Sequence, residues 1–206
     1  GLANIDAGTV KLLGQFAAGS STFVNNGGRL LGNGTLGTLT INTGGGFSPG
    51  SSVGALTAGA TTFIGGGTYV WEINNATGAP GTGWDLLSLT APLTISATGA
   101  TPFTIDIRSL AGSAAGLTAN FDSLVNSSYT ILTAPSIVGF DPTAFTIQTT
   151  GFQNGLSGGG FAITSTGTSL ALTFTAVPEP STYALLFVGS GALAITGWRR
   201  RRAVRG

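Results

Sequence analysis

From Gly1 to about Gly67 the chain is cut into short apolar pieces by Gly, Ser and Asn, as in "GGRLLGNGTLGTLTINTGGGFSPGSSVGALTAGATTFIGGG". This punctuation constrains the fold more than any other feature. The apolar pieces alternate with period two: in "TLTI", Leu39 and Ile41 fall on one strand face and Thr38 and Thr40 on the other. "SPGSS" and the "GGG" runs supply turn residues. Strands of three to five residues cannot each bury a face alone, whereas stacked coils can. The expected class is therefore all-β, a right-handed parallel β-helix or β-solenoid.

Beyond residue 67 the strands lengthen. "TYVWEI" puts Tyr69, Trp71 and Ile73 on one face, and "FTIDIRS" puts Phe103, Ile105 and Ile107 inward. "SLALTFTA" repeats the alternation with Leu170, Leu172, Phe174 and Ala176. "PGTGW", "FDPTA" and "SGGG" read as loops between the runs. Residues 68–176 are expected to continue the β-helix or to form a sandwich-like unit. We favour continued coils ending in a broader β-rich cap, because a solenoid needs its open end covered.

The run "LLGNGTLGTLTINTGGGFSPGSSVGALTAGATTFIGGGTYVWEI" resembles the C-terminal passenger segments of autotransporter-associated β-strand repeat proteins. The resemblance rests on Gly-rich turns, an SPG turn and a "GALT" strand ahead of an aromatic strand, and "GTGWDLLSLTAPLTISA" continues it. It implies an extended, secreted β-helix.

Charge divides the chain. Only 7% of residues are charged, against about a quarter in ordinary domains. Residues 1–176 hold Lys11, Arg29 and Arg108 against six acids, a net of −3; residues 177–206 hold five arginines against Glu179, a net of +4. A body with so few, dispersed charges offers no phosphate-tracking surface, and no nucleic-acid partner is expected. His, Cys and Met are absent, which removes disulfides, thiolate chemistry and the usual Ser-centred triad. Only oxygen ligands remain for a metal, the acids are scattered singly, and no metal or cofactor is expected. The chain begins at Gly1 directly in β-like sequence, which suggests the mature or C-terminal piece of a longer protein.

Three patterns in the body invite a chemical reading. "GNGTLG", Gly32 to Gly37, has the G-x-G-x-x-G spacing of a dinucleotide loop, but a strand-like "TLTI" follows where that motif needs a helix. It reads as a turn. Glu72 and Asp85 lie beside Trp71 and Trp84, an acid-plus-aromatic set of the kind that holds sugars. The plainer reading makes Trp71 core and lets Asp85 order the "GTGWD" loop through side-chain-to-backbone hydrogen bonds. Asp106 and Arg108, two apart on one strand face, are expected to form a solvated ion pair. N-x-S/T sequons at Asn33, Asn75 and Asn126 are unremarkable in so Ser/Thr-rich a chain.

The tail differs in kind. "STYALLFVGSGALAITGW", residues 181–198, carries no charge, and as a helix it would reach ~27 Å, close to the ~30 Å hydrocarbon core of a bilayer. Arg199, Arg200, Arg201 and Arg202 follow at once. One Arg at mid-bilayer costs about 2.5–3.5 kcal/mol, so the span must end at Trp198, whose ring suits the interface. The positive-inside rule keeps the arginines cytoplasmic and places the body across the membrane, outside the cytoplasm. Gly189, Gly191 and Gly197 are tolerated in a bilayer and give the span a small-residue face.

Ahead of the span, Val177-Pro178-Glu179-Pro180-Ser181 is a rigid, extended element, since each Pro fixes φ and biases its predecessor away from helix. Pro-Glu-Pro, apolar span, Arg cluster and chain end, in that order, resemble the PEP-CTERM sorting signal of bacterial exported proteins. The resemblance implies an exosortase as partner, a membrane-embedded thiol transpeptidase that processes the chain near the motif. It also implies an association with exopolysaccharide. The expected organisation is thus 1–67 solenoid coils, 68–176 continued coils or cap, and 177–206 sorting signal. The expected role is non-enzymatic, at the cell surface or in extracellular matrix. An adhesin or polysaccharide-binding module is the alternative, and a polysaccharide-active enzyme the third reading.

Overall fold

The structure is a computed structural model that describes residues 1–177. It is all-β: among the described residues there is no α-helix, only one 3-10 turn at Pro142–Ala144. Three sheets account for the strands. The first runs through Leu2–Ile5, Ser21–Val24, Thr38–Ile41, Thr61–Phe63, Leu93–Ile95 and Ile137–Val138, every pair parallel. The second joins Gly8–Leu12, Gly28–Gly32, Gly46–Pro49, Thr68–Ile73, Phe103–Ala111 and Phe145–Gly151, also parallel. In the third, Ala55–Ala58, Leu86–Leu89 and Ser127–Thr133 are parallel.

From Thr38 onward the chain visits the first, second and third sheets in that order and then begins again. Earlier laps meet the third side only through single parallel bridges, Gln15 to Thr35 and Thr35 to Thr57. Register gives the length of each lap in the first sheet. It is 19 residues from Leu2 to Ser21, 17 from Ser21 to Thr38, 22 from Leu39 to Thr61, 32 from Thr61 to Leu93 and 44 from Leu93 to Ile137. Beyond residue 67 the strands lengthen as expected, to six residues in Thr68–Ile73 and nine in Phe103–Ala111, the loops between them grow as well, and the sheets cross that point unbroken, with Gly46 beside Thr68 and Phe47 beside Tyr69.

Lap closure depends on one repeated corner. Each of the first four strands of the first sheet ends on an apolar residue, followed by Asp6, Asn25, Asn42 or Ile64 and, one or two residues further on, by a glycine that precedes or opens the strand of the second sheet. The corner amides hydrogen-bond along the stack: Asn25 Nδ2 donates to Asp6 Oδ1 at 2.6 Å, and Asn42 Nδ2 donates to Asn25 Oδ1 at 2.6 Å. Gly28, Gly45 and Gly67 N–H groups close the turns onto the carbonyls of Asn25, Asn42 and Ile64. Glycine is required where laps touch. At Gly32, φ is +121° and an added Cβ would stand 1.9 Å from the Leu12 carbonyl oxygen.

Inward-facing residues stack lap on lap. Ile5, Val24, Ile41, Phe63 and Ile95 share one register row of the first sheet. Leu30, Phe47, Tyr69, Ile105 and Ile147 share one of the second, with Val10 in register at its exposed first strand. The period-two faces expected for "TLTI", "TYVWEI" and "FTIDIRS" are observed, with Leu39, Ile41, Tyr69, Trp71, Ile73, Phe103, Ile105 and Ile107 all buried. In "SLALTFTA", Leu170, Leu172 and Phe174 are buried, but Ala176 is half-exposed because the strand ends at Thr175. Aromatic rings continue the stacking, Phe47 on Tyr69 at 4.4 Å and Phe63 on Phe103 at 4.3 Å between centroids.

The stack ends in a change of direction. Ser169–Thr175 pairs antiparallel with Ser127–Thr133, and Gly160–Ser165 pairs antiparallel with Ser169–Thr175. Phe121, Phe152, Phe161 and Phe174 pack beneath this hairpin. Of the expected loops, "FDPTA" holds the 3-10 turn, capped by Asp141 Oδ1 accepting from Thr143 N–H at 2.8 Å.

Candidate functional site: a charged groove and the tail junction

The body has three outer faces, and strand-borne charge is confined to one. Every charged residue carried by a described strand, namely Lys11, Arg29, Glu72, Asp106 and Arg108, belongs to the second sheet. Alternation explains why they point outward. Glu72 pairs in register with Arg108, one residue beyond the inward pair Trp71 and Ile107. Asp106 registers with Gln148 on its other side, and Arg29 registers with Gly46. A Cβ on Gly46 would stand 3.4 Å from Arg29 Nη1, so the missing side chain leaves room for the guanidinium to lie across the neighbouring strand.

Two adjoining cavities line this face. One of about 300 Å³ is bordered by Arg29, Gly46, Gly50, Ser51, Glu72 and Arg108. Another of about 490 Å³ is bordered by Glu72, Asp106, Arg108, Gln148, Thr150 and Gln153. Glu72 and Arg108 border both, which makes one groove running across the strands. Arg108 Nη2 meets Asp106 Oδ2 at 2.7 Å, the expected ion pair. Among the described residues Arg29 and Glu72 have no ion-pair partner. Partial burial pushes the Glu72 carboxyl above its ordinary range, partly offset by Arg108 and reinforced by Asp106.

The acid-plus-aromatic set read from sequence is not assembled at the surface. Trp71 is fully buried, its Nε1–H donating to the Asp85 carbonyl at 2.9 Å. Trp84 is 7% exposed, its Nε1–H donating to the Thr130 carbonyl at 2.9 Å. Tyr129 packs against both rings. Neither indole offers a face to a ligand, because both complete the core between the second and third sheets. Asp85 is also fully buried, and does not order its own loop as expected. Its Oδ1 accepts from Gly54 N–H at 2.8 Å and its Oδ2 from Glu72 N–H at 3.0 Å, with Ser48 Oγ at 3.4 Å. These partners lie on the preceding lap and the preceding strand, so Asp85 is a clamp between laps beneath the groove. Burial pushes its carboxyl well above the ordinary Asp range, against the pull of those donors. Glu72 and Asp85 consequently do not face each other across a cleft. "GNGTLG", expected as a turn, is instead an extended, bent side of its lap in which Thr35 bridges Gln15 and Thr57, and the strand Thr38–Ile41 follows it.

Sequence reading missed the groove and the corner ladder. The ladder had a signal, the recurrence of apolar–Asx–x–Gly in "IDAG", "VNNG" and "INTG", hidden by the uneven lap length. The groove had none, since its four charges come from strands up to 79 positions apart, Arg29 to Arg108.

At the C-terminal end, Ala176 N–H is held by Asn126 Oδ1 at 2.8 Å, and the exposed Val177 follows directly. The sorting residues Pro178, Glu179, Pro180 and Ser181, the expected span 181–198, and the topology residues Trp198 and Arg199–Arg202 lie outside the described residues. Among the described residues no helix is long and apolar enough to cross a membrane.

Comparison with known families finds the PEP-CTERM protein-sorting motif at residues 176–202. The match starts where the last strand's hydrogen bonding stops. It supports exosortase-dependent sorting of an exported protein that is processed at the envelope. No curated protein matches the chain.

Proposed function

We infer that this is a non-enzymatic exported protein of the cell surface or extracellular matrix, delivered by its tail and built on a right-handed β-solenoid. The sorting motif, seated directly behind the last strand, carries the reading. Three sheets visited in cyclic order by parallel strands support the solenoid, and parallel connections within a sheet are right-handed almost without exception. Residues 181–198 hold the chain in the inner membrane during transit, Arg199–Arg202 fix its orientation, and an exosortase acts near Pro178-Glu179-Pro180. The body is then released or transferred outside the cell.

The intact mass of the protein recovered from the culture exterior tests this. The expected mass lacks the span and the arginines; an exterior protein still carrying residues 181–206 would refute the assignment. A binding role for the body is favoured by one observation, the confinement of strand-borne charge to a grooved face.

A further inference from the structure

We propose that the groove on the outer face of the second sheet binds a neutral, hydroxyl-rich polysaccharide in an extended conformation. This deepens the proposed function and rests on it in one respect: an extracellular glycan reaches the groove only if the body is exported.

The composition of the groove identifies its ligand. Within the groove Arg29 and Arg108 are balanced by Glu72 and Asp106, and Lys11 on the flanking strand leaves the face at +1, far short of a track that would attract a polyanion. A nucleic acid or acidic polymer would need an unbalanced cationic track. Peptide docking draws on apolar anchors or a free strand edge, and the groove floor offers neither. Phe47 and Val70 on that floor are buried, and four of the five strands it crosses are paired on both sides, Phe145–Gly151 at its far end having one neighbour. What remains is a set of planar bidentate hydrogen-bonding groups: the exposed Arg29 and Arg108 guanidiniums and Gln148 and Gln153 amides, and the half-buried Glu72 and Asp106 carboxylates. Such groups suit vicinal hydroxyls, where a carboxylate accepts from two and a guanidinium or amide donates to two.

The dimensions agree. The groove crosses five adjacent strands, those of Arg29, Gly46, Glu72, Arg108 and Gln148. At ~4.8 Å per strand this is about 19 Å, suited to an elongated ligand. The charged groups are also held in place. Arg108 is oriented by Asp106, and Glu72 is fixed at its backbone by the buried Asp85. Preorganised polar groups lose less entropy on binding, which matters for a ligand that offers little apolar area.

The test uses the full chain in detergent micelles, with immobilised neutral glucans of six or more residues (β-1,3-, β-1,4- and α-1,6-linked) and alginate as the acidic comparison. Retention on at least one neutral glucan is expected, with alginate weaker. Arg29→Ala and Glu72→Gln should each weaken that retention about tenfold or more, the effect of losing one charge-assisted hydrogen bond. Thr94→Ala, on the first sheet, should leave it unchanged. Thermal unfolding followed by circular dichroism shows whether each variant is folded. No retention on any neutral glucan, preference for alginate, or retention indifferent to both groove substitutions in folded protein would overturn the proposal. Exterior mass is read separately, so failed glycan binding with correct export overturns the groove assignment alone.

Discussion

At the residue scale, Asp85 shows how a polar side chain joins a core that sequence reading assigns to apolar residues. A carboxylate without a cation is tolerated there because Gly54 and Glu72 supply backbone donors and Ser48 a hydroxyl. Asp85→Ala would strand two buried N–H groups at roughly 1–3 kcal/mol each. We expect a lower urea midpoint in equilibrium unfolding for that variant. Since burial raises the folded-state carboxyl above its unfolded value, its contribution is complete below about pH 3.9 and is lost as pH rises through the folded value. Urea midpoints should therefore fall from pH 4 upward, and Asp85→Asn should flatten that slope relative to the wild type. An equal slope in the variant would show that the titration belongs elsewhere. Glu72, also raised, contributes the same sign and remains in both proteins.

Elements here are individually too short to persist. Thr61–Phe63 and Leu93–Ile95 have three residues each and are held by neighbours 22 to 44 positions away. Cohesion comes from stacked rows of core residues and from the corners that set the register between laps. Asn25 accepts from one lap and donates to another. Asn25→Ala removes both contacts, and an unfolding free energy lower by about 1–2 kcal/mol is expected from denaturant titration, each partly exposed amide bond being worth about 0.5–1.5. Faces of elements were legible in sequence because alternation is local: Leu39 and Ile41, or Phe103, Ile105 and Ile107, turn inward wherever their strand is placed. The destination of Trp84 was not. Its neighbours "GTGWD" read as loop, yet the inserted lap folds the indole back under Tyr129.

For the whole molecule, the division of charge corresponds to a division of labour. The body, with net −3, folds by stacking and carries its strand-borne charge on a single face. The tail, with net +4, acts through linear order. On the proposed topology, replacing Arg199–Arg202 by Ala removes the positive-inside determinant, so cells should retain the body unprocessed or misoriented. Immunoblotting of membrane and exterior fractions reads the outcome, and unchanged release would count against the topology role.

The sequence alone determined the all-β class, the inward residues of strands with clear alternation, such as Leu39 and Ile41 or Phe103, Ile105 and Ile107, and the sorting signal. These depend on residue type, period and order along the chain, which no partner segment alters. Tertiary structure decided the rest. It made Trp71 and Trp84 core, turned Asp85 into a clamp between laps, and brought Arg29, Glu72, Asp106 and Arg108 into one groove. Lap lengths of 17 to 44 residues set which strands become neighbours, and residues converge on a shared face only once that register is fixed.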